Sequence, residues 1–145
     1  MPLNLSSIVK ITKVKDHTTA GTTDVESDII DMQGYEGVMF LTSLGTAAAD
    51  NLLKVQQNTA NSTSGMADLT GTGVTSGASP SNEDLWVDVY RPRERYLRAV
   101  VVIDTSSTCE SVWAFQYGAR ETPVDNTTSG TIAGESWASP AEGTA

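Results

Sequence analysis

The sequence predicts an all-β fold, an antiparallel β-sandwich or jelly-roll-like barrel, followed by an extended C-terminal arm. Three observations lead there. Short runs alternate Val, Ile, Leu or aromatic residues with polar ones, and a period of two belongs to strands that bury one face. Clusters of Gly, Asn, Asp, Ser and Pro separate these runs about every ten residues, the spacing of sandwiches and barrels. Neither a heptad pattern nor a repeat of roughly 20–50 residues is visible, which removes coiled coils and solenoids.

The elements follow in order. Ile8 to Lys15, with lysines toward its end, reads as a first strand, and residues 16–23, "DHTTAGTT", read as a turn. Val25 to Met32 and Gly37 to Leu44 are strand-like runs around the turn Gln33-Gly34-Tyr35-Glu36. "NLLKVQQ" at 51–57 has helix-compatible residues, but its β-rich surroundings favour a strand. Residues 58–82 hold few large apolar groups, and one short strand near "ADLTGTGV" is all they support.

Leu85 to Tyr90 and Arg95 to Asp104 form the clearest pair, joined by "RPRE" as a hairpin tip. Leu85, Val87 and Val89 share one face of the first strand; Leu97, Ala99, Val101 and Ile103 share one face of the second. Ser111 to Tyr117 follows, with Trp113, Phe115 and Tyr117 on one side, so residues 85–117 read as an antiparallel meander in the core. Residues 1–122 are thereby assigned to the sandwich and 123–145 to the arm. The arm lacks any period or basic residue, and Ile132 and Trp137 are its candidate anchors for a pocket on another subunit.

The chain has 145 residues, enough for one domain, and a domain of about 150 residues buries roughly 68–70% of its unfolded surface. Its formal net charge of -9 weighs against nucleic acid, because phosphate binding needs Lys and Arg to displace counterions. The lone cysteine, Cys109, excludes an internal disulfide and a cysteine metal cluster. No run approaches the ~18 apolar residues of a membrane span and the N-terminal run is too short for a signal peptide, so synthesis in a cytosol and no membrane contact are expected.

Catalytic groupings are sparse, and an enzyme is not expected. His17 is the only histidine, and the Gly-x-Ser-x-Gly elbow that would pair a serine with it is absent. Cys109 has no base nearby in sequence. Asp24, Glu26, Asp28 and Asp31 gather carboxylates, but the central glycine of a calcium loop is missing, and the glycines of "GTGVTSG" precede no helix. Neither metal nor cofactor is expected.

The remaining candidate is "VYRPRERYLR", which packs Arg91, Arg93, Arg95 and Arg98, four of nine basic residues, into eight positions. Arginine and tyrosine are enriched at interface hot spots, so this segment reads as a positive contact for acidic patches on a protein partner. Alternation places Arg91, Arg93 and Arg95 at the tip and Arg98 on a sheet face beside Tyr96 and Val100, where an acid of a neighbouring copy is its expected partner.

The segments "SSIVKITKV", "AGTTDVESDIIDMQGYEGVMF", "KVQQNTANSTSGMADLTGTGV", "VDVYRPRERYLRAVV" and "SPAEGTA" together resemble the small capsid cement, or decoration, proteins of tailed bacteriophages. The resemblance spans most of the chain. It implies a structural virion protein, made in the bacterial host cytoplasm and bound to the outer capsid surface. Its implied partners are the major capsid protein and, in a homotrimer, further copies of itself. Two alternatives stand beside it: a tail or head-tail connector component, and a carbohydrate-binding β-sandwich with Trp86, Trp113 and Trp137 as sugar-stacking residues.

Overall fold

The computed structural model describes residues 4–126 and 132–144. A 3-10 turn, Leu5–Ser7, precedes β1 (Lys10–Lys15), β2 (Thr18–Gly21), β3 (Val25–Glu26), β4 (Ile30–Asp31), β5 (Gly37–Ser43) and β6 (Leu52–Asn58). After these come β7 (Ala67–Asp68), β8 (Val74–Thr75), β9 (Asp84–Tyr90), β10 (Tyr96–Val102), β11 (Ser107–Cys109) and β12 (Val112–Tyr117). The all-β expectation holds: one sheet runs β1-β12-β5-β9, and a second centres on β10 beside β6. In the second sheet β3 and β4 lie in succession along the far side of β10, and β7 and β8 along the far side of β6. All these pairings are antiparallel.

Alternation explains which faces meet. In β5, "GVMFLTS", Val38, Phe40 and Thr42 are buried, whereas Met39, Leu41 and Ser43 on the opposite face are only partly so. Leu85 and Val87 of β9, with Val112 and Ala114 of β12, continue the inner face. Across the core, Leu53 and Val55 of β6 meet the same cluster as Leu97, Ala99 and Val101 of β10. Phe40 and Leu97 are fully buried, and each contributes about 1.5–3 kcal/mol by leaving water.

Neighbour relations depart from expectation at the centre of the chain. β9 and β10 do not form a hairpin: β9 pairs with β5, from Gly37↔Tyr90 to Ser43↔Asp84, and β10 pairs with β6, from Tyr96↔Asn58 to Val102↔Leu52. The connection 91–95 therefore carries the chain from one sheet to the other, with Arg91 at φ +50 and its N–H bonded to the Glu36 carbonyl at 2.7 Å. The meander reading of 85–117 fails with it, since β12 sits between β1 and β5. The physical reason is that both strands need only bury one apolar face. Lying side by side in one sheet and facing each other across a core meet that need equally, and the sequence pattern is the same for both.

One smaller difference concerns a third, two-stranded sheet, β11-β2. Residues 16–23, read as a turn, contain β2, and β11 pairs with it through Ser107↔Gly21 and Cys109↔Thr18. Asn51 secures the adjoining loops from a fully buried position: its Nδ2 donates to Ala48 O and Ser107 Oγ, and its Oδ1 accepts the Asp104 N–H. Buried side-chain amides of this kind hold loop backbone that no ladder satisfies.

Candidate functional site

The four arginines separate into two environments. Arg91 and Arg93 are exposed on the inter-sheet turn, and Arg91 stacks over the Tyr90 ring at 5.1 Å. Arg95 makes a fork to Asp31, with Nε and Nη2 donating at 2.8 and 2.7 Å, and also donates to Gln33 Oε1. That pair keeps the Asp31 carboxyl below its ordinary range. Arg98 is buried, and its guanidinium donates to both Glu26 carboxylate oxygens, at 2.8 and 3.2 Å, and to Gln56 Oε1 at 2.8 Å. It does stand on the outer face of β10, but the acid it meets belongs to its own chain. Arg91, Arg93, Arg95 and Arg120 border an open cleft of about 630 Å³ that Glu36 and Glu94 share, so the cleft carries both signs of charge.

A second surface feature lies on the first sheet. Register places Phe115 beside Met39 and Ile11, Trp113 beside Leu41 and Lys13, and Leu41 beside Trp86. These residues occupy the outer face, because Val112, Ala114 and Gln116 are the buried members of β12. Trp86 and Tyr90, on the outer strand of this sheet, are 58% and 57% exposed. Soluble domains seldom leave an apolar face of this kind unused.

Polar groups along β9 are held in place. Tyr117 Oη donates to Asp88 Oδ1 at 2.6 Å, and Ser43 Oγ donates to Asp84 Oδ1. Burial, with the Asp88 hydrogen bond second, pushes the Tyr117 hydroxyl up to about 12. The Tyr117 ring lies over Gly37, where an added Cβ would come within 2.3 Å of Cζ. Glycine at 37 is what lets the ring lie flat and its hydroxyl reach β9.

The segment following the sandwich folds back along β1. Val124 N donates to Ser7 O at 2.8 Å, Ile11 N donates to Asn126 Oδ1 at 2.8 Å, and Asn126 Nδ2 donates to Ser6 O and Val9 O, each at 2.7 Å. Asn126 thus occupies the open hydrogen-bonding side of an edge strand. Residues 132–144 carry neither strand nor helix; Ile132 is half-buried and lines a cleft of about 530 Å³ with Ile11 and Trp113 of the same chain, whereas Trp137 is 64% exposed. Residues 127–131 of the arm, and 145, lie outside the described residues.

The residues weighed for chemistry are placed as follows. His17 Nδ1 lies 2.8 Å from Glu110 Oε2 at the surface. Cys109 Sγ is buried within 3.5 Å of Thr42 Oγ1, and desolvation pushes its thiol pKa up, which disfavours the thiolate. Of the four carboxylates at 24–31, Asp24 accepts the Ile103 N–H, Glu26 holds Arg98 and Asp31 holds Arg95. Among the described residues, no three His, Cys, Asp or Glu side chains gather as metal ligands, and no helix is long and apolar enough to cross a membrane.

No family model matches the chain, and no curated protein matches its sequence.

Proposed function

We propose that the chain is a structural virion protein that binds the outer surface of a bacteriophage capsid as a homotrimer and stabilises contacts between major capsid protein subunits. One observation carries the binding role: the outer face of the first sheet presents Trp86 and Tyr90 to solvent, continuous by register with Leu41, Met39 and Phe115. An aromatic face supplies the desolvating contacts on which protein interfaces depend. Repetition on a lattice then multiplies weak contacts into resistance to expansion. The charge of -9 suits a surface turned away from packaged DNA. Arg95 and Arg98, already engaged by Asp31 and Glu26, add little free positive charge for phosphate.

The test is sedimentation with heads assembled from the major capsid protein of the parent phage and lacking any decoration. Wild-type protein is expected to pellet with the heads at a ratio of three copies per site, and Trp86→Ala with Tyr90→Ala to remain in the supernatant. Failure of the wild-type protein to pellet removes the proposal. A second reading has its own support, since Trp86 and Trp113 lie on one face either side of Leu41. That places two stacking platforms two strand spacings, roughly 9–10 Å, apart. In this reading the domain binds a carbohydrate, and tryptophan quenching by oligosaccharides without head binding would select it.

A further inference from the structure

The two sheets treat their edges differently. The free side of β1 is taken by Asn126, which accepts the Ile11 N–H and donates to Val9 O. The far side of β10 is covered by β3 and β4, two residues each, with the Ser27 hydroxyl accepting the Ala99 N–H near them. The far side of β6 is covered by β7 and β8, again two residues each, and Val55 N donates to Thr72 Oγ1 between them. These are the ways proteins close edges against unwanted pairing.

β9 carries no hydrogen-bonded cover of this kind; β8 approaches it without pairing. It pairs with β5 without a register shift over seven residues and contains no proline. Every second residue of an antiparallel strand turns its N–H and C=O away from its one neighbour. Among the described residues, none of the backbone groups of Asp84–Tyr90 on that free side has a partner from a turn, a loop or a side chain. The edge opens instead into a shallow groove of about 500 Å³, whose opposite wall is Gly71, Thr72 and Val74.

The chemistry of the groove selects its occupant. Glu83, Asp84 and Asp88 line it and no Lys or Arg does. Asp84 and Asp88 flank Trp86 on the outer face, and each is held by a hydroxyl, from Ser43 and Tyr117, that leaves further acceptor positions free. On the inner side, Val74 is 37% exposed to the groove, and Leu85 and Val87 lie buried behind it. A strand beside β9 therefore meets carboxylates and an indole at every second side chain, and aliphatic groups at the others. A second copy of β9 does not fit this pattern, because it brings its own Asp84 and Asp88 to the same face, and like charges on paired strands destabilise.

We propose that the free edge of β9 is a strand-addition site for an extended protein segment in which Lys or Arg alternates with apolar residues. Backbone hydrogen bonds give the affinity, and the lysine or arginine stems lying across Trp86 with their charges at Asp84 and Asp88 give the selectivity. The site does not depend on the shell reading, because it is defined by the edge and not by the identity of the partner.

The probe is a capped heptapeptide with Lys and Val in strict alternation, read by amide hydrogen exchange across Asp84–Tyr90 and by Trp fluorescence. Two further peptides are N-methylated, one at the lysine amides and one at the valine amides. A strand bonds its neighbour through one set of alternate amides only, so one methylated peptide is expected to lose at least about tenfold in affinity while the other binds as before. Asp84→Asn combined with Asp88→Asn is expected to weaken the parent peptide by about three- to tenfold, as two exposed ion pairs are lost. Both carboxylates are exposed, so the variant should keep the wild-type circular dichroism. Equal binding of the two methylated peptides would mean attraction by charge alone and would overturn the proposal. So would binding without protection of the β9 amides, or a hexasaccharide that quenches Trp86 when the peptide does not bind.

Discussion

Replacing Arg98 by Met decides whether this arginine serves the fold or a partner. The substitution keeps most of the buried stem and removes the guanidinium, which makes three hydrogen bonds at 2.8, 2.8 and 3.2 Å to Glu26 and Gln56. Hydrogen bonds to charged groups contribute about 1.5–3 kcal/mol each when both ends are buried. Here the Arg98 side chain is 8% exposed but Glu26 is 53% exposed, so solvent screens the acid and rehydrates it once its partner is gone. The expected loss is then about 2–3 kcal/mol for the set. For a domain of this size it corresponds to a fall in melting temperature of about 6–9 °C. Urea unfolding followed by tryptophan fluorescence measures it in the isolated protein, and a cycle with Glu26→Gln should show coupling of about 1 kcal/mol. An unchanged midpoint and slope for Arg98→Met, with head binding lost, would refute a structural role and return Arg98 to the interface.

Three further outcomes are expected. Asp31, lowered by Arg95, and Asp68, lowered by Gln56 and Lys54, bind protons less tightly in the folded chain than their ordinary value of 3.8. Their contribution to stability is therefore full above about pH 4 and is lost as pH falls through the folded values, so urea midpoints measured from pH 5 to pH 2 should drop less in Asp31→Asn than in wild type. Ultraviolet titration of the tyrosines should show one group near 12, and Asp88→Asn should move it toward its ordinary 10; Gly37→Ala should do the same by displacing the ring. Truncation after Pro123 removes the Val124 and Asn126 bonds to the Ser6–Ile11 backbone. It should leave the β circular dichroism intact while lowering stability by about 2–4 kcal/mol in urea, and loss of the β spectrum would show that the segment belongs to the core.

What the sequence revealed about the fold, and what it did not, follows from the range of each interaction. The six strands β1, β5, β6, β9, β10 and β12 were legible because alternation is written in consecutive residues. Their partners were not, because pairing β9 with β5 joins Asp84 to Ser43 across forty-one positions, and no local signal records that choice. The fate of Arg98 was hidden for the same reason, since Glu26 lies seventy-two residues away. At the surface, the segment 91–98 was visible by charge, but three of its four arginines, Arg91, Arg95 and Arg98, pair with acids elsewhere in the chain. Trp86 was visible as an aromatic on a strand; its place on an open edge depended on sheet order alone.

β12 shows why a pattern of large and small residues did not reveal which face is core. Its inward residues are Val112, Ala114 and Gln116, and its outward ones are Trp113, Phe115 and Tyr117. An intuitive ranking by size would bury the aromatics. Directly beside Ala114 on the same inner face stands Phe40 of β5, and Leu97 belongs to the other sheet; both are fully buried, and close packing beside such bulk is met by small partners such as Ala114. The aromatics on the reverse side are then in excess of what folding requires. Tyr117 crosses to Asp88, Trp113 and Ile11 line the cleft that receives Ile132, and Trp86 stands on the open strand. In β12 small residues lie inside and aromatic residues outside, and under the proposed binding role the sheet divides the two tasks by face. Substitutions on the inner face should cost stability, and those at Trp86 and Tyr90 should cost binding, which is the expected behaviour of a strand whose outer side is an interface.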